Sequence, residues 1–238
     1  MKWAPLAVFI ALVLVVVALV ARQSGPETIV AVDQRPVAIA TLPCALDIQA
    51  TSSGFVMDSN TVVTVAHAIF ESREFAVRDA TGEWHEATVQ HMDLERDLAV
   101  LQIEGLAAEP FPTRVGTAGE QVQMVEGSSS GTISGEVSRR VQINTEVIGD
   151  LTTKSERAGY ELSFEINGGD SGAAVVGDDA RLLGLIFARS TAREASWATS
   201  VSEIEAVLNE RSVPAWECER DSDAELVLAP LEQRLAPR

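Results

Sequence analysis

The stretch Glu165–Val176 reads EINGGDSGAAVV, and it sets three glycines, Gly168, Gly169 and Gly172, around Ser171. Glycines so close together are typical of a loop whose backbone approaches another group closely or takes angles that other residues resist. Ser171, at the tip of such a loop, is either a nucleophile or part of a tight turn between two strands. The first interpretation requires a base and an orienting acid elsewhere, because a serine hydroxyl is a weak nucleophile at neutral pH.

The length and charge of the chain limit its number of domains and the kinds of partner that it can bind. Its 238 residues fit one sizeable domain or two small barrels that share an interface. The formal net charge of −17 disfavours binding to nucleic acid and adsorption to anionic lipid headgroups, because both surfaces would repel the chain. No Cys/His spacing suggests a metal site, and no cofactor is implied. The oligomeric state is not indicated.

An uninterrupted apolar stretch, Trp3–Ala21, lies near the N-terminus and is long enough to span a bilayer as a helix. Residues 16–18 form a poor signal-peptidase site, which favours an uncleaved anchor over residues 1–22. Lys2 and the amino terminus favour a cytoplasmic start, although Arg22 weakens this charge argument. We expect a single-pass cell-membrane protein whose remaining chain is extracytoplasmic (periplasmic or cell-surface), or a secreted protein if the N-terminus is cleaved.

The rest of the chain reads mainly as short strands. Residues 23–43 predict a linker, and the β-branched or alternating runs from Cys44 onward, separated by polar turns, predict an all-β fold. The segment Glu104–Gly116 has two prolines and marks a crossing between two halves. A short helix is predicted near residues 200–211, and Ser202 with Glu205 suggests a capping box. Its apolar face comprises Ile204, Val207 and Leu208, and an acidic tail, 217–238, follows.

Cys44 and Cys218 lie near the two ends of the predicted folded region. Outside the cytoplasm, two such cysteines are expected to form a disulfide that ties the ends of the domain together. The alternative is two buried free thiols.

Of the three histidines, only His67 follows a hydrophobic strand, in VVTVAHAIF, and it is the best-placed base. His85 and His91 are interpreted as solvated surface residues. Asp97 directly precedes the apolar strand LAVLQI and is the candidate orienting acid, whereas Asp93 is interpreted as a turn or surface residue. Each candidate also has a purely structural alternative: Ser171 as a turn residue, His67 as a half-buried histidine with its hydrogen bonds satisfied, and Asp97 as a strand cap.

The motifs VTVAHAIF, RDLAVLQI and GGDSGAAV, in the order His–Asp–Ser, resemble the catalytic motifs of chymotrypsin-fold (trypsin-like) serine proteases. The layout is most similar to bacterial HtrA-like and actinobacterial MarP-type membrane-anchored periplasmic proteases, and the match covers about residues 51–208. The resemblance implies a protease domain at 44–216 with two antiparallel six-stranded β-barrels, about 44–108 and 114–211. A short C-terminal helix and an N-terminal transmembrane helix complete the expected fold.

The resemblance also implies roles for individual residues. Ser171 would be the nucleophile, His67 the base and Asp97 the orienting acid, and the N–H groups of Gly169 and Ser171 would form the oxyanion hole. The expected function is a membrane-anchored extracytoplasmic serine endopeptidase that acts on protein or peptide substrates. The alternative is a catalytically silent or gated sensor or binding module on the same fold at the membrane.

Three further residues form a tentative specificity pocket. Glu165, six residues before Ser171, would lie at its floor and select basic side chains; the alternation with Phe164 and Ile166 allows it to point to solvent instead. Ala188 and Arg189 would line the wall, where Arg189 could neutralise Glu165.

Overall fold

A computed structural model describes residues 35–44, 48–106, 108–127, 131–216 and 218. Among these residues, no helix is long and apolar enough to cross a membrane. The stretch Trp3–Ala21, for which the sequence predicts an anchor, lies outside the described residues, as does the tail beyond Cys218.

The first half forms a seven-stranded antiparallel sheet. Its strands are β1 (Pro36–Pro43), β2 (Ala50–Asp58), β3 (Thr61–Thr64), β4 (Ser72–Arg78), β5 (Trp84–His85), β6 (Ala87–Asp93) and β7 (Leu98–Ile103). Their order across the sheet is β5-β4-β1-β2-β3-β7-β6. A 3₁₀ helix, Ala66–Ala68, follows β3.

Two expectations for this half are wrong. Residues 36–43 belong to strand β1, which pairs with β2 and β4 and buries Val37 and Ile39 completely, so they are not linker. The prolines at both ends of this strand gave it the composition of a linker, although proline is tolerated at strand ends. The expected closed six-stranded barrel is instead an open sheet in the described residues, because the two-residue β5 pairs only with β4.

The second half confirms the predicted six-stranded antiparallel barrel. Its strands are β8 (Gln121–Val125), β9 (Thr132–Val147), β10 (Asp150–Leu162), β11 (Ala174–Gly177), β12 (Leu182–Arg189) and β13 (Ser196–Ser200). They close in the order β10-β13-β12-β11-β8-β9. β9 is a single strand of 16 residues, although the sequence predicts short strands. Together with β10 it forms a long hairpin, whose Ile148 N–H donates to the carbonyl of Leu94 in the first half at 3.3 Å.

The predicted C-terminal helix is α1 (Val201–Val207). Its N-cap is Ser200, whose hydroxyl accepts from the N–H of Ser202, so the predicted Ser202–Glu205 capping box is wrong. Glu205 instead accepts a hydrogen bond from Thr113. The predicted apolar face is confirmed, since Ile204 and Val207 are buried and Leu208 packs beside them.

A hydrophobic cluster joins the two halves and fixes their relative position. Residues of the first sheet, such as Phe55, Val63 and Leu98, pack in it with Ala174 and Leu185 of the barrel. The residues of α1 complete the same cluster. Because burial of apolar area is the main favourable term in such packing, this cluster holds together the loops that meet at the boundary.

Candidate active site

His67 and Asp97 meet because of the pairing between β3 and β7. The two strands are antiparallel, with Thr64 opposite Ala99, so the end of β3 lies beside the start of β7. His67 lies in the 3₁₀ helix just after β3, and Asp97 immediately precedes β7. The ladder therefore brings together two residues that are thirty positions apart.

Both carboxylate oxygens of Asp97 bind His67. The backbone N–H of His67 donates to Oδ1 at 2.9 Å, and Nδ1 lies 2.8 Å from Oδ2. An ionised carboxylate only accepts, so Nδ1 carries the proton and Nε2 is left as an acceptor in the neutral ring. The Asp97 side chain is 8% exposed and that of His67 is 41% exposed. The site thus has a buried acid and a base open to solvent.

The environment shifts the proton affinity of His67. Burial lowers the pKa of the imidazole, but the hydrogen bond and the charge of Asp97 raise it, and the net result is a pKa above the ordinary 6.5. A raised folded-state pKa means that protonated His67 stabilises the fold. This stabilisation is fully present below the unfolded pKa and is lost as the pH rises through the folded pKa.

Ser171 lies in the loop between β10 and β11, and this loop is tightly turned. Asp170, which is 3% exposed, accepts from the N–H of Asn167 through its carboxylate at 2.6 Å. Its carbonyl accepts from the N–H of Ala173 at 2.9 Å. Burial raises the pKa of Asp170. The acid therefore serves as an internal anchor of the loop.

The Ser171 loop is bonded to the first sheet through Ser53 on β2. The N–H of Ser53 donates to the carbonyl of Ser171 at 2.8 Å, and its hydroxyl donates to the carbonyl of Gly169 at 2.9 Å. Thr64, at the end of β3, donates to the carbonyl of Ser53 at 2.7 Å. These bonds place the loop against the strand end from which His67 follows.

Glycine is required where the loop meets the sheet. Gly172 has φ +92°, and a Cβ at this position would clash with the carbonyl oxygen of Ser53 and with Thr64 Oγ1. Gly169 has φ +103°. A Cβ on Gly168, in contrast, would meet nothing within 4 Å. The close approach suggested by the glycine-rich sequence is therefore at Gly172.

The two predicted oxyanion donors have no partner among the residues that the structure describes. Neither the N–H of Gly169 nor that of Ser171 donates a hydrogen bond there, whereas the flanking N–H groups of Asp170 and Gly172 are both bonded. Over the same ranges, no hydrogen bond joins the hydroxyl of Ser171 to His67. The two donors are therefore available to a ligand.

Two of the tentative specificity residues, Glu165 and Arg189, do not form the ion pair that would neutralise Glu165. Glu165 is exposed between the buried Phe164 and Ile166, as the solvent alternative requires. Arg189 is also exposed, on β12, and Ala188 is half-buried there. No salt bridge joins Glu165 to Arg189 in the described part of the chain.

The other two histidines have structural contacts. His91 is 7% exposed, so the interpretation as a solvated residue is wrong. It is covered by the segment after α1, where Ser212 N–H donates to its Nδ1 at 3.2 Å. His85 is half-buried, with Nε2 2.9 Å from Asp79 Oδ2.

Asp79, Glu83 and His85 are the described residues whose donor atoms group closely enough to consider a metal ion, within 4.8 Å of one another. Asp79 Oδ1 already accepts from the N–H groups of Thr81 and Glu83. These bonds and the contact with His85 account for the cluster as the turn that joins β4 to β5.

The disulfide Cys44–Cys218 is confirmed, and the described residues include no free cysteine. It attaches the C-terminal segment to the end of β1. Trp216 in this segment donates from Nε1 to the carbonyl of Ser72 at 3.2 Å and packs edge-on against Phe70. Phe70 lies three residues after His67, so the segment supports the region that carries the candidate base.

Ser53 was missed by the sequence analysis. Its role depends on contacts with Gly169 and Ser171, more than a hundred positions away in the chain. A serine in a buried strand carries no sequence signal for such a contact. Only the docking of the two halves reveals it.

Comparisons with known proteins agree with this architecture. Serine protease HTR4 from Bos taurus is 26% identical over 159 residues, which cover 60% of this chain and 30% of that protein. The active form of the Rv3671c protease from M. tuberculosis superposes with a TM-score of 0.70 at 21% identity, over 80% of this chain and 87% of that chain. The serine endoprotease from Yersinia pestis gives 0.59 at 21% identity, over 74% and 61%.

The structural likenesses show the fold, and the chain spans less than a third of the length of the curated relative. The family described as trypsin-like peptidase domain matches residues 52–185, more than half of the chain. This range includes His67, Asp97 and Ser171, and it confirms the resemblance seen in the three motifs. The chain therefore belongs to the trypsin-like peptidase family, a family of serine-type hydrolases.

Proposed function

We propose that this protein is a membrane-anchored, extracytoplasmic serine endopeptidase that cleaves protein or peptide substrates. The observation that carries the proposal is the double hydrogen bond from His67 to Asp97, beside the loop that presents Ser171. The membrane anchor and the location rest on the apolar stretch Trp3–Ala21 and its flanking charges.

In the proposed mechanism, the hydroxyl oxygen of Ser171 attacks the carbonyl carbon of the scissile peptide bond, and Nε2 of His67 takes the hydroxyl proton. The tetrahedral intermediate collapses as the C–N bond breaks, and the imidazolium delivers the proton to the leaving amine. Water then attacks the acyl-enzyme ester, again with His67 as base, and releases the carboxylic acid. Asp97 keeps His67 in the required tautomer and stabilises the imidazolium.

The oxyanion that forms in both steps needs donors aimed at it. The N–H groups of Gly169 and Ser171 donate to no described residue, so they are suited to this role without first breaking such a hydrogen bond. The left-handed conformation of Gly169 and the anchoring of its carbonyl by Ser53 would hold one donor in place.

A gated site is the second candidate, and one observation favours it. The hydroxyl of Ser171 makes no hydrogen bond to His67 in the described ranges. Such bonds are often long in enzymes without substrate and tighten only in the complex. A missing bond between Ser171 and His67 is therefore compatible with catalysis. In the gated form, binding of a partner or substrate would be needed to complete the site.

The test is labelling of the full chain, oxidised and in detergent, with a fluorophosphonate that reacts only with activated serines. We expect labelling of the wild type and of Ser138→Ala, an exposed serine on β9, but not of Ser171→Ala. Cleavage of casein with the same pattern would establish endopeptidase activity. A folded wild type that fails to label would refute constitutive activity and favour the gated form.

The location is tested separately. We expect the full chain to stay with membranes after carbonate washing, and an external protease to degrade the domain in intact spheroplasts of a bacterial host. Protection of the domain in intact spheroplasts would refute the extracytoplasmic location. Release by carbonate, with a shortened N-terminus by mass spectrometry, would show a cleaved signal peptide instead.

A further inference from the structure

Arg157, on β10, is a buried charged residue for which the proposed mechanism has no role. It is 3% exposed. Its Nη1 donates to the carbonyl of Glu95 at 3.1 Å and lies 3.5 Å from Thr145 Oγ1. Its Nε is buried and has no hydrogen-bond partner among the described residues. Burial of an arginine with an unsatisfied donor is unfavourable, so compensating interactions are expected nearby.

One such interaction is with Phe187 on β12. The Cζ atom of Arg157 lies 4.4 Å from the centroid of this ring, a distance that allows a cation–π interaction. Phe187 packs against the cluster that joins the two halves. The guanidinium is therefore held at the junction between the barrel and the loop that leads to Asp97.

The surrounding carboxylates provide a second interaction. Burial lowers the pKa of Arg157, while the charges of Asp97, Asp93 and Glu203 raise it. Two of these carboxylates already have an arginine partner, because Arg96 forms ion pairs with Asp93 at 2.7 Å and with Glu203 at 2.9 Å. Asp97 has no arginine ion pair in the described ranges, and both of its oxygens bind His67. Arg157 supplies a nearby positive charge without displacing His67 from Asp97.

The loop before Asp97 is anchored from two sides. Asp93 Oδ1 accepts from the N–H groups of Glu95 and Arg96 at 2.9 and 2.8 Å. Arg157 binds the carbonyl of Glu95 from the barrel. Asp97 itself has φ 54°, a left-handed conformation that a residue with a side chain adopts only when its surroundings impose it.

We propose that Arg157 is a positioning residue for the Asp97–His67 pair: from β10 of the barrel, it holds the loop that carries Asp97 in place. The inference rests on the proposed peptidase function. Asp97 and Arg157 act on His67 in opposite directions, since Asp97 raises the pKa of the imidazole and the like charge of Arg157 lowers it.

The test uses two changes at Arg157 and a matched control. Arg157→Gln removes the charge, whereas Arg157→Lys keeps the charge and loses the planar guanidinium. Lys154→Gln removes a positive charge from an exposed position on the same strand. The pKa of His67 is measured by NMR titration of the full chain in detergent, with Ser171→Ala in every sample. The fluorophosphonate labelling rate is measured against pH without that change.

We expect Arg157→Gln to raise the pKa of His67 by roughly half to one pH unit and to move the acid limb of the labelling profile by the same amount. Arg157→Lys should leave the pKa near its wild-type value but slow labelling severalfold, and Lys154→Gln should change neither. Because the titration needs no activity, a wild type that fails to label would refute constitutive peptidase activity and still allow the effect of Arg157 on the pKa of His67 to be measured.

A folded Arg157→Gln variant with the wild-type pKa and labelling rate would overturn the inference. If circular dichroism shows that this variant is unfolded, the inference is tested with Arg157→Lys alone. A wild-type labelling rate in Arg157→Lys would then show that the guanidinium does not position the Asp97 loop, and would overturn the inference. Failure of both variants to fold would overturn the inference in favour of a purely structural role.

Discussion

Replacement of both Cys44 and Cys218 by serine should cost this protein much of its stability. The bond joins residues 174 positions apart, so it closes almost the whole folded chain into one loop. The end at Cys44 is well anchored, because its N–H donates to the carbonyl of Glu71 and its carbonyl accepts from Arg73, both at 2.7 Å.

The size of the effect follows from the loop length. On the chain-entropy model, a closed loop of this length removes about 5 kcal/mol of conformational freedom from the unfolded state at 25 °C. Measured values often fall below the model, so we expect a loss of about 3–5 kcal/mol. For a domain of this size, the corresponding fall in melting temperature is roughly 6–20 °C.

The assay is urea unfolding of the full chain in detergent, followed by tryptophan fluorescence. The oxidised wild type is compared with the double serine variant and with reduced wild type, which should agree with each other. Trp216→Phe, with the disulfide intact, is the matched control for the loss of the hydrogen bond to Ser72. It should lose only about 1 kcal/mol.

The urea unfolding curve separates two explanations of the stability loss: a less constrained unfolded state, or lost contacts of Trp216 in the folded state. If the disulfide acts on the unfolded state, its loss leaves that state more expanded, and the slope with urea should not decrease. A double variant that loses less than about 1 kcal/mol would refute the loop-closure reasoning for this protein. A loss equal to that of Trp216→Phe would assign the effect to the tryptophan contacts instead.

Three further predictions concern the site and the first sheet. Labelling of the wild type should rise with pH through a pKa above 6.5, because burial lowers the pKa of His67 less than Asp97 raises it. Asp97→Asn should lower the pKa of His67, as measured by NMR titration. The same change should reduce labelling by roughly a thousandfold or more, since the imidazole loses its orienting acceptor. Gly172→Ala should destabilise the fold by about 3 kcal/mol in urea unfolding and abolish labelling, and a labelled variant of wild-type stability would contradict the clash with Ser53. A chain without residues 1–43 lacks β1 and should show no cooperative melting, whereas one without residues 1–31 should melt like the full chain.

The sequence was most informative where strong local signals coincide with the fold. The sequence places Asp97 directly before an apolar strand and His67 shortly after a β-branched strand. The pairing of these two strands brings the two residues together. The barrel strands with clear alternation were also predicted. The long β9–β10 hairpin was not predicted, because much of its length faces solvent and lacks an apolar period.

The remaining errors have physical causes of the same kind. Strand β1 is bounded by prolines, which signal a linker in sequence but are compatible with strand ends. His91 is polar, and the sequence predicts a surface residue, yet the segment around Ser212 covers it. Ser53 and Arg157 act through contacts between the two halves, and no local pattern encodes such contacts.

Three of the hydrogen bonds of Ser53 have a consequence for how the candidate site assembles. They connect β2 to the loop of Ser171 and, through Gly127 N–H at 3.2 Å, to the region after β8. A chain in which only one half has folded lacks this connection, although it contains His67, Asp97 and Ser171. In the proposed mechanism, Ser171 would therefore reach its place beside His67 only after the two halves have docked, and a partly folded chain would carry the candidate nucleophile without its base.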